Sequence, residues 1–306
     1  MNYQFGFRHV LSRALATTAL TMAVALYVII DAPLAYAVGA DIGDFVPTAV
    51  GQDLMALYLI KSESSKVYKS DKIINKRASL DAQTTIFRAG HTVSLGADMI
   101  AIPQFFITYQ SLSAAHAGLN DTSGSSDPAV GMPFWPYINR AAREYVMVAP
   151  YIYLPLGEYD RHHNLNTGEN RWKAALQLAY QRGLTDRVDL EISAETNMYG
   201  ANDDYGLYKG RRQQRPWYEI RGGMNYQFSD GAGSKIGLGG YLDYGGETKV
   251  DGVLQGDEIK TRGVYLEVST MVSSHDQFLI AAYRDLEVES GFKMQHQLRV
   301  RFLHFF

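Results

Sequence analysis

The sequence predicts a transmembrane antiparallel β-barrel of about twelve strands, forming one domain behind a cleaved signal peptide. Three observations carry that prediction. Apolar and polar residues alternate with period two in segment after segment. The front of the chain reads as an export leader. The last segment, Phe292 to Phe306, alternates to its final aromatic. Alternation of this kind gives a strand one greasy face and one polar face, as a barrel in lipid around a polar lumen requires.

The leader comes first. Arg8 and Arg13 form a short basic region, Ala14 to Ile30 is apolar, and Ala35-Tyr36-Ala37 places small residues two apart. That is the order of a signal peptide, and cleavage would start the mature chain at Val38. The domain reading is therefore residues 1–37 as signal peptide and 38–306 as barrel, with 38–51 an irregular lead-in able to fold into the lumen. Past the signal there is no apolar run of about 18 residues, so helical membrane spans are excluded.

The strands follow. They are read at 52–61, 82–93, 97–109, 127–138, 143–155, 171–181, 186–199, 214–228, 234–245, 259–272, 276–287 and 292–305. In 187–199, Val188, Leu190, Ile192, Ala194 and Met198 oppose Asp189, Glu191, Ser193, Glu195 and Asn197. In 216–228, Tyr218, Ile220, Met224, Tyr226 and Phe228 oppose Glu219, Arg221, Asn225 and Gln227. In the last segment Phe292, Met294, His296, Leu298, Val300, Phe302, His304 and Phe306 are expected outward. Lys293, Gln295, Gln297, Arg299 and Arg301 are expected inward. A helix would show apolar spacings of three and four instead. The segment at 127–138 is the weakest strand, because Pro128, Pro133 and Pro136 cannot donate to a ladder. Short connections near 94–96, 139–142, 182–185, 229–233 and 273–275 alternate with long ones at 62–81, 110–126, 156–170, 200–213 and 246–258. Short periplasmic turns and long external loops are the habit of outer-membrane barrels. The even strand count puts both chain ends on the periplasmic side.

Composition agrees. The chain has no cysteine, 21 tyrosines and 28 glycines. Without disulfides, an exported chain must rely on its own hydrogen-bond network, which a closed barrel supplies. The net charge of −3 gives no reason to expect nucleic acid.

Candidate chemistry is sparse. There is no Gly-x-Ser-x-Gly, and His91 and Ser94, three apart, fall on opposite faces of a strand, so no enzyme is expected. His162 and His163 are adjacent on a loop, where both rings cannot easily turn to one metal. Asn202, Asp203 and Asp204 lack the spacing of a calcium loop and read as a turn. No metal and no cofactor are expected. The informative polar residues are those in the inward register: Lys173, Glu191, Glu195, Glu219, Arg221, Asp243, Glu267, Arg299 and Arg301. Two roles fit them, pairing that fills a narrow barrel and a lining that selects solutes. Their mixed sign argues against a strongly ion-selective pore.

Several stretches resemble the outer-membrane transporter family associated with the meta-cleavage pathway of phenol degradation. They are Leu154-Pro155-Leu156-Gly157-Glu158-Tyr159-Asp160, Leu165-Asn166-Thr167-Gly168-Glu169-Asn170-Arg171-Trp172, Tyr199-Gly200-Ala201-Asn202-Asp203-Asp204-Tyr205-Gly206 and Tyr244-Gly245-Gly246-Glu247. The resemblance implies an outer-membrane barrel and a passive route for small hydrophobic compounds, aromatic ones among them. The alternative is a scaffold barrel with an occluded lumen. Its motif residues read as structural. Gly157 and Gly168 are expected to take backbone angles other residues resist. Asn170 and Arg171 are expected to pin the loop, with Arg171 pairing to Glu247 or Asp251. Trp172 falls where an outer aromatic girdle belongs. Expected partners are outer-membrane lipid and the barrel-assembly machinery, which reads a terminal aromatic such as Phe306.

Overall fold

The computed structural model describes residues 40–96 and 98–306. The segment read as a signal peptide lies outside the described residues. Within them there are twenty β-segments and no helix. They are β1 (Asp53–Lys69), β2 (Lys72–His91), β3 (Val93–Gly96), β4 (Met99–Ala101), β5 (Gln104–Ala115), β6 (Thr122–Ser125), β7 (Ala129–Gly131), β8 (Phe134–Asn139), β9 (Glu144–Tyr153), β10 (Lys173–Gly183), β11 (Val188–Tyr199), β12 (Asn202–Tyr205), β13 (Gly210–Gln214), β14 (Trp217–Gln227), β15 (Lys235–Gly245), β16 (Thr248–Val250), β17 (Val253–Leu254), β18 (Ile259–Met271), β19 (Asp276–Val288) and β20 (Gly291–Phe305).

Twelve of these close a barrel in the order β1, β2, β5, β7, β9, β10, β11, β14, β15, β18, β19, β20, with β20 pairing back to β1. Every pairing is antiparallel. The seam runs from Leu54 opposite Phe305 to Tyr68 opposite Gly291, and the Phe306 N–H donates to the Asp53 carbonyl at 3.0 Å. Closure leaves no edge strand to meet lipid with unpaired backbone groups.

The prolines break strands without opening the wall. β2 continues into β3 past Thr92, and β4 into β5 past Ile102 and Pro103. The ladder holds across these breaks, because the His91 N–H donates to the Pro103 carbonyl and the Ile102 N–H to the Pro133 carbonyl. β6, β7 and β8 form one interrupted wall strand, with Pro128 and Pro133 at the interruptions. Its prolines cost it length, but its neighbours supply the register.

The faces are those of a protein solvated by hydrocarbon. Outward Leu59, Ile107, Leu178 and Leu238 are more than half exposed, while inward Arg301 and Glu267 are each 1% exposed. Aromatics mark the two edges of the apolar band. Tyr218 and Tyr244 stack at 5.0 Å at the outer ends of β14 and β15, and Trp172 sits exposed at the head of β10. Tyr226 and Phe228 pack edge-on at 5.1 Å at the inner end.

Two parts of the sequence reading need correction. The stretch 62–81 is not an irregular loop. β1 and β2 run on through it as a hairpin, closed by Ser70 and Asp71, both left-handed at φ 49° and 64°. Its polar composition reflects water rather than disorder of structure, since paired strands need no apolar face once clear of lipid. In β20 the alternation slips. His296 pairs with Glu63 and Met294 with Ser64, so Gln295 is an extra residue and the register shifts there. A one-residue bulge exchanges faces. Phe292 therefore lies buried against Val67 and Leu80, Met294 packs towards Tyr241 and Tyr265 inside, and Lys293 donates outward to the Leu286 carbonyl.

Tyrosines brace the wall of β15 and β18 from within. Tyr265 lies across Gly239, its partner on the neighbouring strand, and Tyr241 lies across Gly263. A Cβ at either glycine would overlap the ring facing it. Glycine is used here because another side chain needs the space.

Candidate functional site: a lumen closed at both ends

The inward register builds the site. Glu195 on β11 stands directly opposite Glu219 on β14, which stands opposite Asp243 on β15. Three carboxylates thus share one level of the wall, all buried. Like charges facing each other weaken a sheet. Glu195 accepts from Asn197 at 2.8 Å and Gln177 at 3.3 Å, whereas neither Asp243 oxygen has a hydrogen-bond partner among the described residues. One layer towards the periplasm, Arg221 stacks over Tyr265 at 4.7 Å and reaches Glu267 at 3.5 Å. Glu191 accepts from the Gly43 N–H, and Lys173 lies 3.8 Å from the Tyr153 ring centre. All nine residues expected inward, Lys173, Glu191, Glu195, Glu219, Arg221, Asp243, Glu267, Arg299 and Arg301, are placed on that face and buried.

The lead-in occupies the inner half of the lumen. Asp41 is fully enclosed, accepting from Arg299 at 2.6 Å and Arg301 at 3.1 Å. Asp44 accepts from Arg301 at 2.7 Å. The Ile42 N–H donates to Glu267 at 2.8 Å, and the Trp135 indole N–H donates to the Phe45 carbonyl at 2.7 Å. Residues 40–48 are therefore held to β18, β20 and β8 by charged and neutral hydrogen bonds together. Between the lead-in and the wall of β1, β2, β5 and β9 lies a cavity of about 250 Å³.

The loop at 154–172 fills the outer half. Leu165 is buried against Val67, Leu80, Leu112 and Phe292 on the inner face of the projecting strands. Asn120 fixes it there, its Oδ1 accepting from the Asn164 and Leu165 N–H groups at 2.9 and 3.0 Å. Asp127 holds both legs of the loop, accepting from Gly157 at 2.9 Å and Glu169 at 3.0 Å. Gly157 and Gly168 touch backbone to backbone, and a Cβ on Gly168 would sit 2.6 Å from the Gly157 carbonyl carbon. Neither has a positive φ, so contact and not backbone angle requires glycine at both. Gly168→Ala is expected to lift the loop, because two backbones cannot both yield. Limited proteolysis of outer-membrane vesicles would show new cleavage between 154 and 172.

Arg171 does not pair with Glu247 or Asp251. It points inward at the head of β10, where Glu169 and Gln214 accept from it and Tyr199 lies under its guanidinium at 4.4 Å. Glu247 instead takes Arg215 at 2.7 Å, and Asp251 accepts from the Arg211 N–H. Asn170 donates to Asn202, which donates back to the Glu169 carbonyl. Asn202 to Tyr205 form strand β12 and not a turn. With β13, β16 and β17 it makes a four-stranded outer sheet. Gly245 and Gly246 both have positive φ where the chain leaves β15 for that sheet. Asp160 accepts from the His162 N–H and ring at 2.8 Å, closing a local turn.

Glu169 carries the charge balance of the outer mouth. Burial pushes its carboxyl up, but Arg171, Lys173 and Arg212 outweigh that and bring it down to about 2, from an ordinary 4.5. A depressed carboxylate stabilises above its unfolded value and loses that contribution as pH falls through its folded one. Amide protection at 154–172, taken relative to the intrinsic exchange rate at each pH, is thus expected to stay constant from pH 7 to about 4.5 and to fall as pH approaches 2.

A sequence profile of the family described as "Putative MetA-pathway of phenol degradation" matches residues 63–296. The chain belongs to this family. Its fold is similar to that of the COG4313 outer membrane channel from Pseudomonas putida F1, with TM-score 0.84 and 28% identity over 87% of this chain and 100% of that one. The transport unit of the autotransporter AIDA-I from Escherichia coli aligns with TM-score 0.54 and 7% identity, over 90% of this chain and 94% of that one. At that identity the likeness is one of fold. No curated protein matches in sequence. The chain is a bacterial outer-membrane channel barrel.

Beside the family motifs, the structure brings in residues that alternation did not single out. Asp41 and Asp44 precede the first strand, where no period exists to read. Arg88 is the only charge on the inward register of 82–93, following Ala82, Thr84 and Ile86, and that isolation was a signal. It donates to Gln104 at 2.7 Å and to the Tyr58 hydroxyl at 3.2 Å. His91 and Ser94 each have other business: His91 meets Asp53 at 2.7 Å, and Ser94 accepts from the Gly96 N–H. Among the described residues no acidic, histidine or cysteine group is arranged to hold a metal.

Proposed function

We propose that this barrel is a stoppered passive channel for small hydrophobic compounds, aromatic ones among them. Solutes cross when residues 40–48 leave the lumen and the loop at 154–172 lifts from its outer half. The observation that carries this reading is Asp41, buried inside the barrel between Arg299 and Arg301. The segment is held largely by hydrogen bonds and ion pairs, whose donors and acceptors water can satisfy once it leaves the barrel. The chain carries no phosphate-binding loop, so flow follows the solute gradient. The inner wall supports an apolar solute: Phe106, Met147, Tyr151 and Trp135 form one apolar cluster there. Deleting the gene is expected to slow growth on a low concentration of some aromatic carbon source. Unchanged growth across a broad panel of such compounds would overturn the solute class.

A second reading is a scaffold barrel whose lumen stays shut. The fillings at both ends favour it: Asp41 at one and Leu165 at the other. Planar-bilayer recording separates the two, since a permanently closed barrel passes no current whatever is done to its lead-in.

A further inference from the structure

We infer that the cavity beside the lead-in is a binding site for a small aromatic monoanion, an arene carboxylate, with Arg88 as its anchor. The inference rests on the channel reading and names the solute class that would use it. The cavity has the two halves such a ligand needs. One is aromatic and apolar. Phe106 and Tyr151 meet edge-to-face at 6.1 Å, and Trp135 and Met147 complete the wall. The other is cationic, formed by Arg88 and Arg301. At about 250 Å³ it has room for a single substituted ring.

The charges around it do not cancel. Among the side chains that line it, two guanidiniums, Arg88 and Arg301, face one carboxylate, Asp44. Arg301 holds Asp44 at 2.7 Å and also reaches Asp41 behind it at 3.1 Å. The neighbouring Arg221 has its own partner in Glu267. Arg88 is left with Asp44 at 3.9 Å, beyond hydrogen-bond reach, and its hydrogen bonds go to the neutral Gln104 and Tyr58. A largely buried guanidinium over an aromatic ring, here Phe106 at 5.7 Å, is suited to a planar carboxylate whose ring stacks in the same space. The surplus of one positive charge fits one negative charge. It also sets a consequence. The ligand enters where Asp44 makes its weakest contact, so binding competes with the lead-in for Arg88 and Arg301 and favours its departure.

Isothermal titration calorimetry on the full chain in detergent micelles tests this, with benzoate, benzyl alcohol and acetate as probes at pH 7. Benzoate is expected to bind at least tenfold more tightly than benzyl alcohol, which lacks the charge, and than acetate, which lacks the ring. Arg88→Met should lose at least tenfold for benzoate only, and Arg88→Lys should recover part of it. Equal binding of benzoate and benzyl alcohol, or a benzoate affinity untouched by R88M, would overturn the site. Should R88M fail to fold, the three-probe comparison on the unaltered chain decides alone. Binding is read without any current. A silent bilayer with intact benzoate binding therefore sinks the channel and not the site, and the converse holds for a conducting barrel indifferent to benzoate.

Discussion

Asp41→Asn is expected to turn a mostly closed barrel into a frequently open one. The carboxylate accepts from Arg299 and Arg301 with nothing of its surface left exposed. A hydrogen bond to a charged group contributes about 1.5–3 kcal/mol. Two are weakened at once, and the amide that replaces the acid brings a donor face to two donors. Each 1.4 kcal/mol is about tenfold in an equilibrium. Open probability in planar bilayers should therefore rise by about one to two orders of magnitude. Removal of residues 40–48 should give a conductance whose remaining closures come from the loop at 154–172 alone. The wall itself should be unaffected, because the lead-in pairs with no strand in the ladder. Silence from both the substituted and the shortened barrel would leave the scaffold reading standing.

The second large effect concerns folding. Gly263→Val is expected to destabilise the barrel by about 2–5 kcal/mol, combining overpacking with a lost buried hydrogen bond. The Tyr241 ring occupies the space a side chain at 263 would enter, and its hydroxyl donates to Asp285 at 2.6 Å. Displacing the ring thus costs the packing and leaves a buried carboxylate short of its donor. Gly239→Val should behave alike through Tyr265. Gly222 is the control, since a Cβ there meets its nearest neighbour at 3.8 Å, and Gly222→Ala should stay within about 0.5 kcal/mol of the parent. Urea titration in lipid vesicles, read by heat-modifiable migration, measures all three. Equal stability of the 222 and 263 variants would show that the tyrosine–glycine contacts carry no weight.

The wall was legible in the sequence because a strand in lipid records its two solvents residue by residue. The alternation over 187–199 gave Asp189, Glu191, Ser193, Glu195 and Asn197 as inward, and that is where they stand. The same logic failed above Gln295. A bulge leaves no compositional mark, yet it reverses every side chain beyond it. The fillings of the lumen were beyond reach for another reason. Asp41 finds Arg299 across 258 residues, and Leu165 finds Val67 and Phe292 from a loop with no period of its own. Arg171 shows the limit most plainly. It was expected to pair with Glu247 or Asp251, but its acid partner, Glu169, is two residues away and not on a distant loop.

The longest strands of the molecule are the two arms of the β1–β2 hairpin. Beyond Lys61 and its partner Gln83 the arms run eight and eleven more residues to the tip, about 3.3 Å at each step, while the neighbouring loop 154–172 is tucked below. Seen from the growth medium, Ser70 and Asp71 form a crest over a sunken doorway, joined by the neighbouring turn whose Glu289 carbonyl accepts from the Asp71 N–H. Anything large that approaches the cell, an antibody or a phage tail, would meet that tip well before it met the mouth.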